Sequence, residues 1–301
     1  MNTVRVTRIT VVAKGVVALE LRSADHRPLP TWTPGAHIDV HLGPGLTRQY
    51  SLCGDPADSA VWRIAVRRQE NGRGGSRHVH DNLSEQDLIE VGEPRNHFPL
   101  QPAPRYLFLA GGIGITPIRP MLTAATAPWE LHYAGRTTPA MPFHDELAAD
   151  PRVTLYPNGR FDLDALLDRH PPGTRVYCCG PSGMLQAVEQ ACARRPDHPL
   201  HLERFTAAPA GRSEAFEVEL ARTGRTLRVP ADRSILEVVE AAGVPILSSC
   251  REGTCGTCET AVLAGTVDHR DTLLTPAEQA ADDTLFPCVS RSLGPRLVLD
   301  L

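Results

Sequence analysis

The sequence predicts a multidomain chain: an antiparallel β barrel or sandwich over residues 1–101, an α/β layer with a parallel sheet over 102–205, and an α+β domain over 214–301. Three observations predict it. The first hundred residues hold short β-branched runs cut by Gly/Pro segments such as Pro34-Gly35 and Gly43-Pro44-Gly45, the pattern of a barrel or sandwich. From Tyr106 onward, apolar runs alternate with helical stretches, which implies a parallel sheet. Beyond a Pro/Gly/Ala-rich tract at 206–213, a linker candidate, alternating strands precede a tight group of cysteines. A length of 301 residues fits two or three domains at roughly 100–200 residues each.

Each element has its own signal. Val4–Ile9, Val16–Leu21, His37–Leu42 and Val61–Val66 are the first strands. Tyr106–Ala110 is continuously apolar, as in a strand buried on both faces. Strands at Trp129–Tyr133, Val153–Tyr156 and Arg175–Cys179 alternate with helices at Ile118–Ala125, His144–Ala149, Leu163–Arg169 and Gly183–Ala193. Strands at Phe216–Leu220 and Thr226–Val229 then lead to a helix at Ser234–Ala242, with Ser234 as N-cap, Glu237 in capping-box position and Gly243 as the stop.

Composition narrows the function. Lys+Arg 31 against Asp+Glu 35 leaves a charge of −4, a poor balance for nucleic-acid binding. No stretch approaches the ~18 consecutive apolar residues of a membrane span. The N-terminus, Met1-Asn2-Thr3-Val4-Arg5-Val6, alternates like a strand and lacks the apolar run of a signal peptide, so a cytoplasmic chain is expected. Lys14 is the only lysine, a compositional bias toward arginine.

Eight cysteines are few for a disulfide scaffold of this length, and their placement is uneven. Cys250-x4-Cys255-x2-Cys258 is followed, after 29 residues, by Cys288. This is the plant-type spacing for four thiolates around a 2Fe–2S cluster. The intervening Gly253, Thr254, Gly256 and Thr257 are small, so backbone N–H groups can turn toward sulfur. A zinc site would pair each Cys-x2–4-Cys with another such pair, whereas Cys288 stands alone after Phe286-Pro287. A structural zinc module and reduced core cysteines are the competing readings. Cys53, Cys178 and Cys192 read as buried small hydrophobes.

Two strand–turn–helix junctions read as nucleotide loops. Gly111-Gly112-Ile113-Gly114-Ile115-Thr116-Pro117 follows the buried strand, and Cys179-Gly180-Pro181-Ser182-Gly183 follows Arg175–Cys179. Glycines let backbone approach phosphate, and ligands of such sheets bind at the carboxyl edge. In the β region, Arg48-Gln49-Tyr50-Ser51-Leu52 and Asn71-Gly72-Arg73-Gly74-Gly75-Ser76 offer an aromatic shelf, hydroxyls and a phosphate cradle. A flavin would join a two-electron hydride carrier to a one-electron cluster. A hairpin pair and a plain turn are the alternatives for these two segments. His78, His80, His198 and His201 read as surface or phosphate-adjacent rather than metal-binding.

Taken in order, these five motifs resemble the phthalate dioxygenase reductase family, including vanillate O-demethylase reductase components, over essentially the whole chain. The resemblance implies an FMN-binding barrel of ferredoxin-reductase type, an NAD-binding domain and a β-grasp ferredoxin domain. Electrons would pass from NADH through FMN and the cluster to a terminal oxygenase, typically a Rieske non-haem iron enzyme acting on an aromatic or similar small substrate. The resemblance places Arg48, Tyr50, Ser51 and Leu52 at the flavin, with Ser51 near N5. It places Val66 and Arg67 at the ring or its chain and Gly74, Gly75 and Ser76 at the phosphate. Thr116 would lie between flavin and nicotinamide, Gly111, Gly112 and Gly114 against the dinucleotide, and Cys179, Gly180 and Pro181 at the nicotinamide pocket. Ser51, Thr116 and Cys179 are thus the catalytic candidates, Phe205 the aromatic shield of the flavin, and Cys250, Cys255, Cys258 and Cys288 the cluster ligands. Arg136 could meet a 2′-phosphate, which would favour NADPH, or be a solvated strand-end charge; the resemblance favours NADH. Arg251 and Arg270 are candidates for partner docking. A monomer is expected, with no nucleic-acid or membrane partner. A reductase for a thiolate-haem monooxygenase is the runner-up, although a fused haem domain would not fit in 301 residues. A redox-sensing flavin/iron–sulfur protein is the reading from another class.

Overall fold

The computed structural model describes residues 1–43, 45–205 and 214–301, so the linker candidate Thr206–Ser213 lies outside the described residues. The chain divides into two compact units, Met1–Glu203 and Arg204–Leu301.

The first unit opens with six antiparallel strands: β1 (Asn2–Ala13), β2 (Val16–Ser23), β3 (His37–His41), β4 (Thr47–Ser51), β5 (Trp62–Arg67) and β6 (Leu88–Val91). Their order is β4-β3-β6-β1-β2-β5. The sheet curls until its outer strands meet, with Leu52 beyond β4 bridging Ile64 of β5. This one bridge brings the two edge strands together without pairing them along their length. Val4, Leu19, Leu21, Ile38, Leu52, Trp62 and Ile64 fill its interior. Helix α1 (Gly75–Asp81) lies between β5 and β6.

The parallel sheet follows, with β7 (Tyr106–Gly111), β8 (Trp129–Gly135), β9 (Val153–Pro157), β10 (Arg175–Cys179) and β11 (Leu200–Glu203) in the order β11-β10-β7-β8-β9. All six residues of β7 are buried, as its unbroken apolar run predicts. Helices α2 (Ile115–Ala124), α3 (His144–Ala148), α4 (Leu163–Asp168) and α5 (Ser182–Ala193) alternate with these strands. One core joins Phe108, Tyr133 and Tyr177 of this sheet to Val16, Ala18, Cys53 and Ala65 of the barrel. Cys178 and Cys192 pack in the core on the opposite face, as small hydrophobes would.

The second unit has β12 (Phe216–Leu220), β13 (Arg225–Val229), helix α6 (Ile235–Ala241), β14 (Thr260–Ala264), β15 (Val267–Asp268), helix α7 (Pro276–Ala281), β16 (Thr284–Leu285), β17 (Arg291–Ser292) and β18 (Arg296–Leu299). The main sheet runs β13-β12-β18-β14-β16, with first and last strands parallel neighbours at its centre. Ser234 and Glu237 form the capping box before α6.

The expected helix at Ile118–Ala125 begins three residues earlier. Ile115 and Thr116 enter the first turn, and Pro117 is tolerated there because its missing N–H would have no helical partner. Two of the histidine expectations are corrected. His198 is 7% exposed, and His201 stacks on Tyr177 with ring centroids 4.6 Å apart. His198 is buried just before β11, and His201, half-buried within β11, lies opposite Tyr177 of β10. Arg270 is likewise no free docking residue, since its side chain is 11% exposed and bound to Asp268.

Candidate functional site

The first site element is the end of β4. Arg48 donates from Nη1 to the Thr47 carbonyl and from Nη2 to that of Arg73, both at 2.7 Å. Its stem lies so close to α1 that a Cβ on Gly75 would fall 2.3 Å from Arg48 Cγ. Gly74 takes φ +87° to bring the chain into that helix, a conformation glycine adopts without penalty. Ser76 Oγ accepts from the Gln69 N–H at 3.0 Å, and His80 bonds the Val66 carbonyl at 2.9 Å. Arg48, Val66 and the Gly74-Gly75-Ser76 turn are thereby tied together across three elements.

Tyr50 carries the most direct sign of a ligand. Its hydroxyl is buried and has no hydrogen-bond partner among the described residues. Burial also pushes its ionisation above the ordinary range. A buried orphan hydroxyl costs free energy unless a ligand satisfies it. Ser51, next along, is 5% exposed. These residues fit a flavin with polar side-chain hydroxyls.

The two glycine turns meet at the carboxyl ends of β7 and β10. A Cβ on Gly114 would lie 2.3 Å from the Cys179 carbonyl oxygen, and one on Gly111 2.5 Å from Pro181 Cδ. Only glycine permits these approaches, to the Cys179 backbone at Gly114 and to the Pro181 ring at Gly111. Gly112, at φ +55°, has Arg67 Nη1 4.0 Å from where its Cβ would stand, which brings the end of β5 to the turn. Thr116 is 2% exposed, and its hydroxyl donates to the Ile113 carbonyl at 2.9 Å. Arg136 is exposed just after β8. Phe205 is 38% exposed at the start of the second unit.

Sequence reasoning missed two participants. Tyr133 Oη donates to the carbonyls of Gly112 and Pro142, each at 3.1 Å, and so anchors the first turn from below. Glu203, at the end of β11, has its carboxylate 3.8 Å from Cys179 Sγ. Burial pushes the Glu203 carboxyl up to about 8, and burial and that acid together raise the Cys179 thiol well above its usual value. Neither contact has a local signal, since each joins segments more than twenty residues apart or separate strands.

In the second unit, Cys250, Cys255, Cys258 and Cys288 are all under 10% exposed. Cys258 and Cys288 have sulfurs 3.4 Å apart. Backbone N–H groups of Glu252 and Thr254 reach Cys250 Sγ at 3.2 and 3.4 Å, and that of Thr257 reaches Cys255 Sγ at 3.4 Å. Leu236, Phe286, Ile246 and Val289 form an apolar wall on one side. Four buried thiols supplied with N–H donors are the donor set of an iron–sulfur cluster. Arg251, between Cys250 and Glu252, pairs with Glu240 at 2.7 Å.

Residues 218–292, spanning all four thiols, match the model of the 2Fe-2S iron–sulfur cluster binding domain. The chain is 42% identical over 320 residues to the vanillate O-demethylase oxidoreductase of Pseudomonas sp. strain HR199, covering 100% of both. The solved phthalate dioxygenase reductase, described as a modular structure for electron transfer from pyridine nucleotides to [2Fe-2S], superposes with a TM-score of 0.75 at 36% identity, over 99% of this chain and 97% of that one. An intact type IV self-sufficient cytochrome P450 monooxygenase gives a TM-score of 0.87 at 43% identity over 100% of this chain, which spans only 41% of that structure.

Barrel, nucleotide layer and thiol loop thus make an NAD(P)H-dependent flavin and iron–sulfur oxidoreductase. The chain belongs to the phthalate dioxygenase reductase family. Its activity is that of an oxygenase reductase component: electrons pass from NADH, through FMN and a 2Fe–2S cluster, to an oxygenase.

Proposed function

We propose that this chain serves a Rieske-type non-haem iron oxygenase acting on an aromatic or similar small substrate, as a cytoplasmic monomer with one carrier in each of three domains, 1–101, 102–205 and 214–301. The observation that carries the assignment of residues is the meeting of the Gly111–Gly114 turn with Cys179-Gly180, beside Arg67 of the barrel. When bound, FMN supplies the step from two-electron to one-electron transfer. Arg48 with Gly74, Gly75 and Ser76 would hold its phosphate. Tyr50 would present its unpartnered hydroxyl, Ser51 and Leu52 the N5 edge, Val66 and Arg67 the side of the ring, and Phe205 a shielding face. Gly111, Gly112, Gly114, Gly180 and Pro181 would admit NADH by close backbone approach, with Arg136 at its ribose. Thr116 and Cys179 would line the nicotinamide pocket, where fixed orientation does most of the catalytic work. Buried Thr116 has its proton committed to the Ile113 carbonyl, so it would act there by shape and as a hydrogen-bond acceptor. Cys250, Cys255, Cys258 and Cys288 would ligate the cluster.

Anaerobic titration with NADH tests the assignment. The flavin absorbance is expected to bleach, followed by that of the cluster, and Cys258→Ser is expected to retain only the flavin response. Unbleached flavin would show that hydride transfer is misassigned. The 43% identity with a self-sufficient P450 supports a second reading, in which the partner is a thiolate-haem monooxygenase. Product formation with purified oxygenases of the two kinds separates the readings.

A further inference from the structure

The cluster loop contains an unexplained backbone feature. Arg251 sits at φ +56°, in the left-handed region, which is unfavourable for a residue with a Cβ. The neighbouring positive-φ positions in the loop, Gly253 and Gly256, are glycines. Something must compensate for an arginine at 251.

Two observations identify what it accomplishes. The left-handed turn at Arg251 folds the following amide back, so that the Glu252 N–H points at Cys250 Sγ from 3.2 Å. The Arg251 side chain then reaches α6, where Nη2 donates to both carboxylate oxygens of Glu240, at 2.7 and 2.9 Å. Ser248 Oγ donates to the same carboxylate at 3.5 Å. The side chains are 47% and 30% exposed, so the pair adds little to global stability. Its position suits it to hold a local conformation.

We propose that Glu240 and Arg251 form a clamp that holds the first cysteine's N–H···S hydrogen bond and thereby sets the reduction potential of the cluster. Both are positioning residues; neither touches iron or sulfur. The inference rests on the reading that Cys250, Cys255, Cys258 and Cys288 hold a 2Fe–2S cluster. An N–H donor to a ligating sulfur favours the more negative, reduced state, so loss of the donor lowers the potential.

The sign of the effect makes the clamp testable. Glu240→Ala removes a negative charge near the cluster, and charge alone would make reduction easier. A broken clamp makes it harder. Redox titration of purified full-length protein, followed by electron paramagnetic resonance of the reduced cluster, measures this directly. Glu240→Ala is expected to lower the reduction equilibrium about tenfold, or about 59 mV for one electron. Glu240→Asp keeps the charge but shortens the reach by one methylene, and is expected to move the same way by less. On an Arg251→Gly background, where glycine adopts the left-handed turn unaided, Glu240→Ala is expected to cause no further fall. An unchanged or raised potential in iron-replete Glu240→Ala protein overturns the clamp alone. Iron-free wild-type protein overturns the ligand reading and the clamp with it. Should Glu240→Ala emerge without iron, Glu240→Asp carries the measurement.

Discussion

Glu203 is a buried acid whose carboxyl stands well above the ordinary carboxylate range. Burial raises its carboxyl from 4.5 to about 8, so the folded protein favours the neutral acid. That preference contributes stability fully below about pH 4.5 and is lost as pH rises through about 8. Glu203→Gln stays neutral throughout. Its denaturant midpoint is therefore expected to fall less than the wild-type midpoint between about pH 5 and pH 8. Equal slopes for the two proteins would show that the carboxyl is not perturbed. No pattern in Leu200-His201-Leu202-Glu203 announces this shift, because it comes from burial, and burial is set by the fold around the end of β11 rather than by these four residues. The cluster cysteines are the opposite case. Their spacing is itself the chemical requirement, so it can be read without a fold.

Among the elements, the turn after β7 shows how glycine choice follows from two different constraints. Gly112 needs its positive φ, whereas Gly114 has φ −64°, which any residue could adopt. Gly114 is required by space: a Cβ would stand 2.3 Å from the backbone of Cys179. Gly114→Ala is expected to destabilise the first unit by about 1–3 kcal/mol and to raise KM for NADH, as checked by urea melts and steady-state kinetics. Wild-type values for both would mean that the turns separate freely. Strongly patterned elements, such as β7, β10 and α6, were legible from sequence with ends displaced by a residue or two. Strand β4 was not, because Thr47-Arg48-Gln49-Tyr50-Ser51 is polar and earns its place by pairing with β3. Helix α1 hid behind Gly74-Gly75-Ser76, which reads as a turn. Strands β15, β16 and β17 have two residues each, too few for any periodicity.

At the scale of the molecule, each compact unit has its own core. The core of the second contains Phe216, Val218, Ile235, Leu285, Leu297 and Leu299, all from within 214–301. Arg291 adds an internal tie: 5% exposed, it donates to the carbonyls of Glu214, Pro230 and Arg233. Residues 214–301 produced alone are expected to fold and bind two irons per chain, measured by iron analysis and visible circular dichroism. An unfolded, iron-free fragment would mean that this core depends on the first unit. The sequence announced the order of the modules, since each has its own periodicity. It did not announce that barrel and nucleotide layer share a core, because that contact joins residues far apart in the chain.

All eight cysteines are buried. A protein that carries electrons one at a time in the presence of oxygen will meet peroxide, and thiols in solvent are the first groups peroxide consumes. By keeping its cysteine sulfurs out of water, this chain limits thiol damage from its own side reactions to what reaches the interior. Its working lifetime is thus tied to how rarely its loops open.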